Sequence, residues 1–199
     1  MRTALSWPKG SLVLTLIGLA SAAAVLATVG YFVFRGDANP TIVVERIIRA
    51  ESNGNPLAKN NRSSATGAGQ IIDQTWLEMM QKHKQALTVG RSRDEVLDLR
   101  RDPVLTREIV TRMVEGNTRT LKKRGLPVNP GTLYLAHFAG SAGAVALLTS
   151  ADHLDAAATM AAADARGRLS REQLVKANPF LATFTVGDLK SWADRRMRG

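Results

Sequence analysis

The chain has 199 residues, 45% of them apolar and 5% aromatic, enough for one ordinary domain with a sizeable core and too few for two. It contains no cysteine, which excludes disulfides, thiolate metal sites, a cysteine nucleophile and a lipid anchor on an N-terminal cysteine. A formal charge of +10 predicts attraction to polyanions, but no basic run with interleaved aromatics and no glycine-rich phosphate loop points to nucleic acid; anionic headgroups, carboxylate-bearing polymers or a solvated basic face account for it equally well.

Residues 12–34 carry no charge, and as a helix they would cross roughly 30 Å of hydrocarbon. Arg2 and Lys9 precede this stretch, whereas Arg35 and Asp37 nearly cancel behind it, so charge asymmetry favours a cytoplasmic N-terminus. Small residues at Ala20-Ser21-Ala22 suit a cleaved signal peptide, but apolar sequence continues well past them. The expectation is a short cytoplasmic segment over 1–11, an uncleaved single-pass anchor over 12–34 in the inner membrane, a linker over 35–40 and a domain over 41–199 in the periplasm. The remainder keeps a charge of about +7.

The predicted elements are helical, giving an all-α fold class favoured by abundant alanine and few aromatics. Thr41 opens a helix with Val44, Ile47 and Ile48 on one face, and Glu51 falls seven, four and three residues later, on that same face. Gly54 and Pro56 stop it, and the small, polar stretch 57–69 reads as a loop or short hairpin lining a cleft. Asp73 is expected to cap a helix bearing Trp76, Met79, Met80 and His83. Ser92 and Glu95 form a capping box for a short helix ending near Arg101. Asp102-Pro103 starts a long helix with Leu105, Ile109, Met113 and Leu121, expected to be the central scaffold, which stops at Gly125. Asn129-Pro130 begins another around 133–138, followed by Gly140, Gly143 and an alanine-rich helical stretch. Two short helices close the chain, one over 172–177 and one after Thr185, boxed by Asp188.

Glycosidic cleavage needs an acid that is protonated near neutrality. Glu51 has two means of meeting that need, desolvation among Val44, Ile47 and Ile48, and a helix C-terminus whose dipole disfavours a carboxylate. Alone this is weak, because a glutamate near a helix end is more often solvated or ion-paired. The histidines His83, His137 and His153 are widely separated and form no metal-ligand spacing, and no cofactor motif is present.

The run Glu51-Ser52-x-Gly54-Asn55-Pro56, the stretch Ser63-Ser64-Ala65-Thr66-Gly67 leading to Gln70-Ile71, and Thr75-Trp76-Leu77 resemble the catalytic core of the SLT-type lytic transglycosylases. Leu99-Arg100-x-Asp102-Pro103, Asn117, and the run from Leu133-Tyr134-Leu135-Ala136-His137-Phe138-Ala139-Gly140 to Gly143-Ala144 resemble a bacterial subgroup of that lysozyme-like family that includes secretion-assisting muramidases. The similarity covers residues 41–180, with the motifs in the family's order. It implies a lysozyme-like helical domain that cuts peptidoglycan glycan strands without a cofactor, with Glu51 as acid then base and Ser52 supporting the site. It also implies that Gly67 and Gln70 line the floor where sugar is bound, and that Ala136, His137 and Phe138 stand in place of the family's Ala-Tyr-Asn.

Two departures accompany the resemblance. Gly67-Ala68-Gly69-Gln70 replaces the usual Gly-Leu-Met-Gln, so bulky apolar contacts are lost. His137 and Phe138 replace Tyr and Asn, which removes the phenol that bonds the catalytic carboxyl in many relatives. His137 reads either as a packed core histidine or as a group that positions Glu51 or substrate.

A hydrolytic muramidase usually employs a second carboxylate, whereas a lytic transglycosylase needs one, because the muramyl C6 hydroxyl attacks internally. No Asp or Glu lies between Glu51 and Gln70, and Asp73 is explained as a helix cap. The expected activity is therefore a transglycosylase releasing 1,6-anhydro-muropeptides for local wall remodelling. The alternatives are a hydrolytic muramidase, either secretion-associated or a prophage endolysin, and a non-catalytic peptidoglycan-binding assembly module. The short linker suits work beside a membrane complex such as a secretion or flagellar machine.

Overall fold

The computed structural model describes residues 39–165, 167 and 169–198; the expected anchor over 12–34 lies outside them. The described residues form eight α-helices and no sheet, in agreement with the all-α expectation.

Helix α1, Pro40–Ser52, begins where the Asn39 side chain accepts the Thr41 N–H at 3.0 Å, with Pro40 in the first turn. It ends where Asn53 turns left-handed at φ 54° and Gly54 follows at φ 79°. Their N–H groups return to the Arg49 and Ile48 carbonyls, a closure that consumes two carbonyls of the helix end. Val43, Val44, Ile47 and Ile48 are buried, which points the Glu51 side of the helix inward.

The segment 57–72 has no regular strand, only isolated bridges joining Lys59 to Thr66 and Thr66 to Ile71. Helix α2, Asp73–His83, follows; its N-cap is Ile72, not Asp73 as the sequence suggested. Asp73 sits at the first helical position because its carboxylate is drawn to two arginines, while its own N–H is met by the Ser64 hydroxyl at 3.1 Å. Trp76 is fully buried and donates its indole N–H to the Val96 carbonyl at 2.7 Å, tying α2 to α3, Arg93–Asp98. The Ser92 and Glu95 box opens α3, which passes through a 3₁₀ turn at Leu99–Arg101 into α4, Pro103–Lys123. Asp102 caps that helix through the Val104 and Leu105 N–H groups, and Gly125, at φ 65°, follows its end.

Helix α5, Pro130–Thr149, carries an internal break at Gly140, where φ is 71° and ψ 164°. It is followed by α6, Ala156–Ala162, α7, Arg171–Ala177, a 3₁₀ turn at Pro179–Ala182, and α8, Val186–Arg196. Side-chain caps open each of these three helices, from Asp155, Ser170 and Thr185.

The central helix is α5, a correction to the expectation that α4 would be the scaffold. α4 buries one stripe, including Leu105, Ile109, Val114 and Leu121, and keeps a charged face. α5 has no polar face and is covered by α1, α4, α6 and α8. Its apolar length would suffice to cross a membrane, yet Leu133, Tyr134, Leu135, Ala144 and Leu147 sit in the core. Gly131 permits the close approach of α8, since a β-carbon there would run into the Asp194 carboxylate.

Candidate active site

Glu51 occupies the last turn of α1, with its side chain 16% exposed. Opposite it, α5 presents Tyr134 and His137, three residues apart and therefore on one face. Their rings stack with centroids 6.4 Å apart at 10°. The Tyr134 hydroxyl lies near enough to Glu51 for the carboxylate charge to act on it. Burial raises the phenol's pKa well above the ordinary value, and the neighbouring Glu51 carboxylate adds to that, while Arg196 opposes it. Tyr134 therefore stays protonated.

His137 has its side chain 6% exposed and places Nε2 3.8 Å from Glu51 Oε1 and 3.2 Å from the Gly69 carbonyl oxygen. A carbonyl only accepts, so Nε2 carries a proton and donates. Nδ1 is buried without a hydrogen-bond partner. The histidine is thus both packed into the core and beside Glu51.

The loop between α1 and α2 is pinned from both helices that frame Glu51. The Ser52 hydroxyl donates to the Ala68 carbonyl at 2.8 Å, and His137 takes the next carbonyl, Gly69. Ala68 is buried, and a β-carbon on Gly69 would lie 2.9 Å from Val110 Cγ2 and 3.2 Å from Thr106 Cγ2. The altered Ala68-Gly69 pair thus lets the loop lie directly on α4.

Gly67 and Gln70 both lie in the loop beside Glu51 and are tied into its backbone. Gly67 is buried at φ 80°, and an added β-carbon would run into the Arg100 carbonyl oxygen. Gln70 is itself left-handed at φ 46°, and its amide nitrogen donates to the Ala58 and Gly67 carbonyls at 3.2 and 3.0 Å. Both residues shape the loop from within.

Arg100 is the clamp beneath it. This buried guanidinium donates to the Ser64 and Ile71 carbonyls at 2.9 and 3.0 Å, to Leu97 at 3.0 Å, and pairs with Asp73 at 2.8 Å. Its own backbone carbonyl receives the Thr106 hydroxyl at 2.9 Å. Asp73 is bound a second time by Arg93 at 3.2 Å, so the first carboxylate after Glu51 in the sequence is committed to holding the loop.

Ala136 is buried in the core. Phe138 turns towards Trp192 and Phe180, with ring centroids at 5.1 and 6.0 Å, and Trp192 stacks on Phe180 at 5.3 Å. Trp192 also lies 5.3 Å from Tyr134, so the Phe138 aromatic cluster supports the back of the Tyr134 ring. Among the described residues, no group of three or more His, Cys, Asp or Glu converges to hold a metal ion.

Sequence reasoning missed the roles of Tyr134, Arg100 and Arg196. Tyr134 had a local signal, its one-turn offset from His137; Arg100 lay in a quoted motif without a role; Arg196 had none. No protein-family model matches the chain, and no curated protein sequence matches it.

Proposed function

We propose that this chain is a membrane-anchored peptidoglycan lytic transglycosylase with a lysozyme-like domain, cleaving the MurNAc-GlcNAc β-1,4 bond through Glu51. The reading is supported above all by the setting of the Glu51 carboxyl, largely buried, beside the Tyr134 phenol and 3.8 Å from the His137 imidazole, while Asp73 is occupied by arginines. One carboxyl without a free carboxylate partner nearby in sequence suits the chemistry that needs no second carboxylate.

In the proposed reaction, Glu51 gives its proton to the GlcNAc O4 as the C1–O4 bond breaks. The muramyl C6 hydroxyl then attacks C1 from within the same sugar, and its proton passes to the Glu51 carboxylate. The product is a 1,6-anhydro-muropeptide, no water is consumed, and the acid is regenerated. Tyr134 and His137 hold the carboxyl in one rotamer through this exchange of roles. The domain would work in the periplasm, tethered by residues 12–34 and close to the membrane through its short linker.

Digestion of peptidoglycan by the full chain in detergent, with mass analysis of the released muropeptides, tests the reading. Anhydro-muramyl ends that vanish with Glu51→Gln are expected. Reducing ends would establish the hydrolytic muramidase instead, and equal, negligible release by both proteins would establish the binding module.

A further inference from the structure

We propose that Arg196, at the end of α8, is a positioning residue for Glu51; the inference rests on the reading of Glu51 as the acid. The helix end that carries Glu51 explains the need. The Ile48 and Arg49 carbonyls of α1 are met by Gly54 and Asn53 N–H groups, and the next carbonyl, Ala50, receives the Arg196 Nη2. A cation at this point also complements the negative end of the helix.

The same guanidinium donates from Nε to the Tyr134 hydroxyl oxygen at 3.3 Å, and that phenol lies near enough to Glu51 for the carboxylate charge to act on it. Its carbon lies 6.0 Å from the centres of both the Tyr134 and the Trp192 rings, which keeps the planar group over the aromatic pair. Arg196 therefore grips two things at once: the peptide immediately before Glu51 and the phenol that neighbours the Glu51 carboxyl. A rigid fork of two N–H groups fixes their separation, which a lysine ammonium does not reproduce.

α8 can transmit this position because it is itself anchored. Its Asp194 packs on Gly131 of α5, and the Met197 carbonyl just beyond it accepts from Arg46 of α1 at 3.2 Å. Arg196 is 146 residues from Ala50 in sequence, so the closing helix sets the geometry of the first.

The test uses the full chain in detergent on defined, un-cross-linked glycan strands, comparing Arg196→Ala, Arg196→Lys, Tyr134→Phe, Arg196→Ala in the Tyr134→Phe background, and Glu51→Gln. Arg196→Ala is expected to lower kcat by about tenfold or more, with KM within about twofold. Arg196→Lys should recover only part of that loss, and Arg196→Ala should cost no more than about threefold once the phenol is absent. Wild-type kcat in Arg196→Ala, a loss wholly in KM, or a full loss repeated in the Tyr134→Phe background would each overturn the proposal. If Arg196→Ala melts below the assay temperature, Arg196→Lys decides, and wild-type kcat there overturns it. A fully active Glu51→Gln instead sinks the reading of the site, whatever Arg196 does.

Discussion

His137 Nε2 stands 3.8 Å from Glu51 Oε1 while donating to the Gly69 carbonyl at 3.2 Å, so one N–H faces both the carboxyl and the loop that lies beside it. This links the orientation of Glu51 to the seating of the 57–72 loop. His137→Phe should therefore lower kcat on the order of tenfold, since the N–H that faces the carboxyl and its bond to the loop carbonyl are lost together. Steady-state kinetics beside a thermal melt check this; an unchanged rate would exclude the histidine from the site.

Gly67→Ala combines two penalties, a left-handed backbone at φ 80° and a β-carbon driven into the Arg100 carbonyl. The expected cost is on the order of 3 kcal/mol, lowering Tm by about 6–12 °C. Gly54→Ala is the control, since its φ is 79° with nothing within 4 Å of the added carbon. It should lose only about 1 kcal/mol. Calorimetry on both proteins separates the steric part from the backbone part.

Asp73 binds the buried Arg100 and the exposed Arg93, and its substitution distinguishes a loop brace from a second catalytic carboxylate. Asp73→Asn should cost about 1–3 kcal/mol, because Arg100 keeps its carbonyl partners but loses its counter-charge. At a temperature where the fold persists, kcat should remain within about threefold of wild type. Abolished turnover with an unchanged melt would make Asp73 a reacting group and favour hydrolysis.

Acid should weaken the α6–α7 corner. The Arg171 hydrogen bond, at 2.8 and 2.9 Å, holds the Asp155 carboxyl below the usual range, and the Ala158 N–H cap adds to it. A folded pKa below the unfolded value of about 3.9 means the contribution is complete above that pH and fades as pH falls through the folded value. Asp155→Ala should therefore cost about 1 kcal/mol at pH 7, mostly the lost cap because the pair is solvent-screened. Melts at pH 7 and pH 3 should show that difference shrinking in acid.

Local signals explain which parts of the fold were legible. Ser92 with Glu95, Asp102 before Pro103, Asn129 before Pro130 and Thr185 with Asp188 each act within four residues, and each opens a helix in the structure. α6 was passed over because its cap, Asp155, is embedded in an alanine-rich run whose composition suggests helix without a boundary. The rank of α5 over α4 was not legible, since periodicity reports which face is apolar and not how many neighbours cover it. In the site, Glu51, Ser52 and His137 follow from helix phase and motif. The internal bonds of Gln70 to the Ala58 and Gly67 carbonyls are not legible, because a sequence does not reveal which carbonyls a loop amide meets. Arg196 meets Ala50 only through the tertiary fold.

The break at Gly140 divides α5 into two helical segments with separate phases. Tyr134 and His137 lie before it, and Ser141, whose hydroxyl donates to Asn117 of α4 at 2.7 Å, lies just after it. In an unbroken helix, one inserted residue would rotate everything beyond it by about 100°. At Gly140 the backbone leaves helical φ/ψ, so the phase of one segment is not carried rigidly into the other. The half that bears Tyr134 and His137 therefore holds its angular setting towards Glu51 independently of the alanine-rich half that follows.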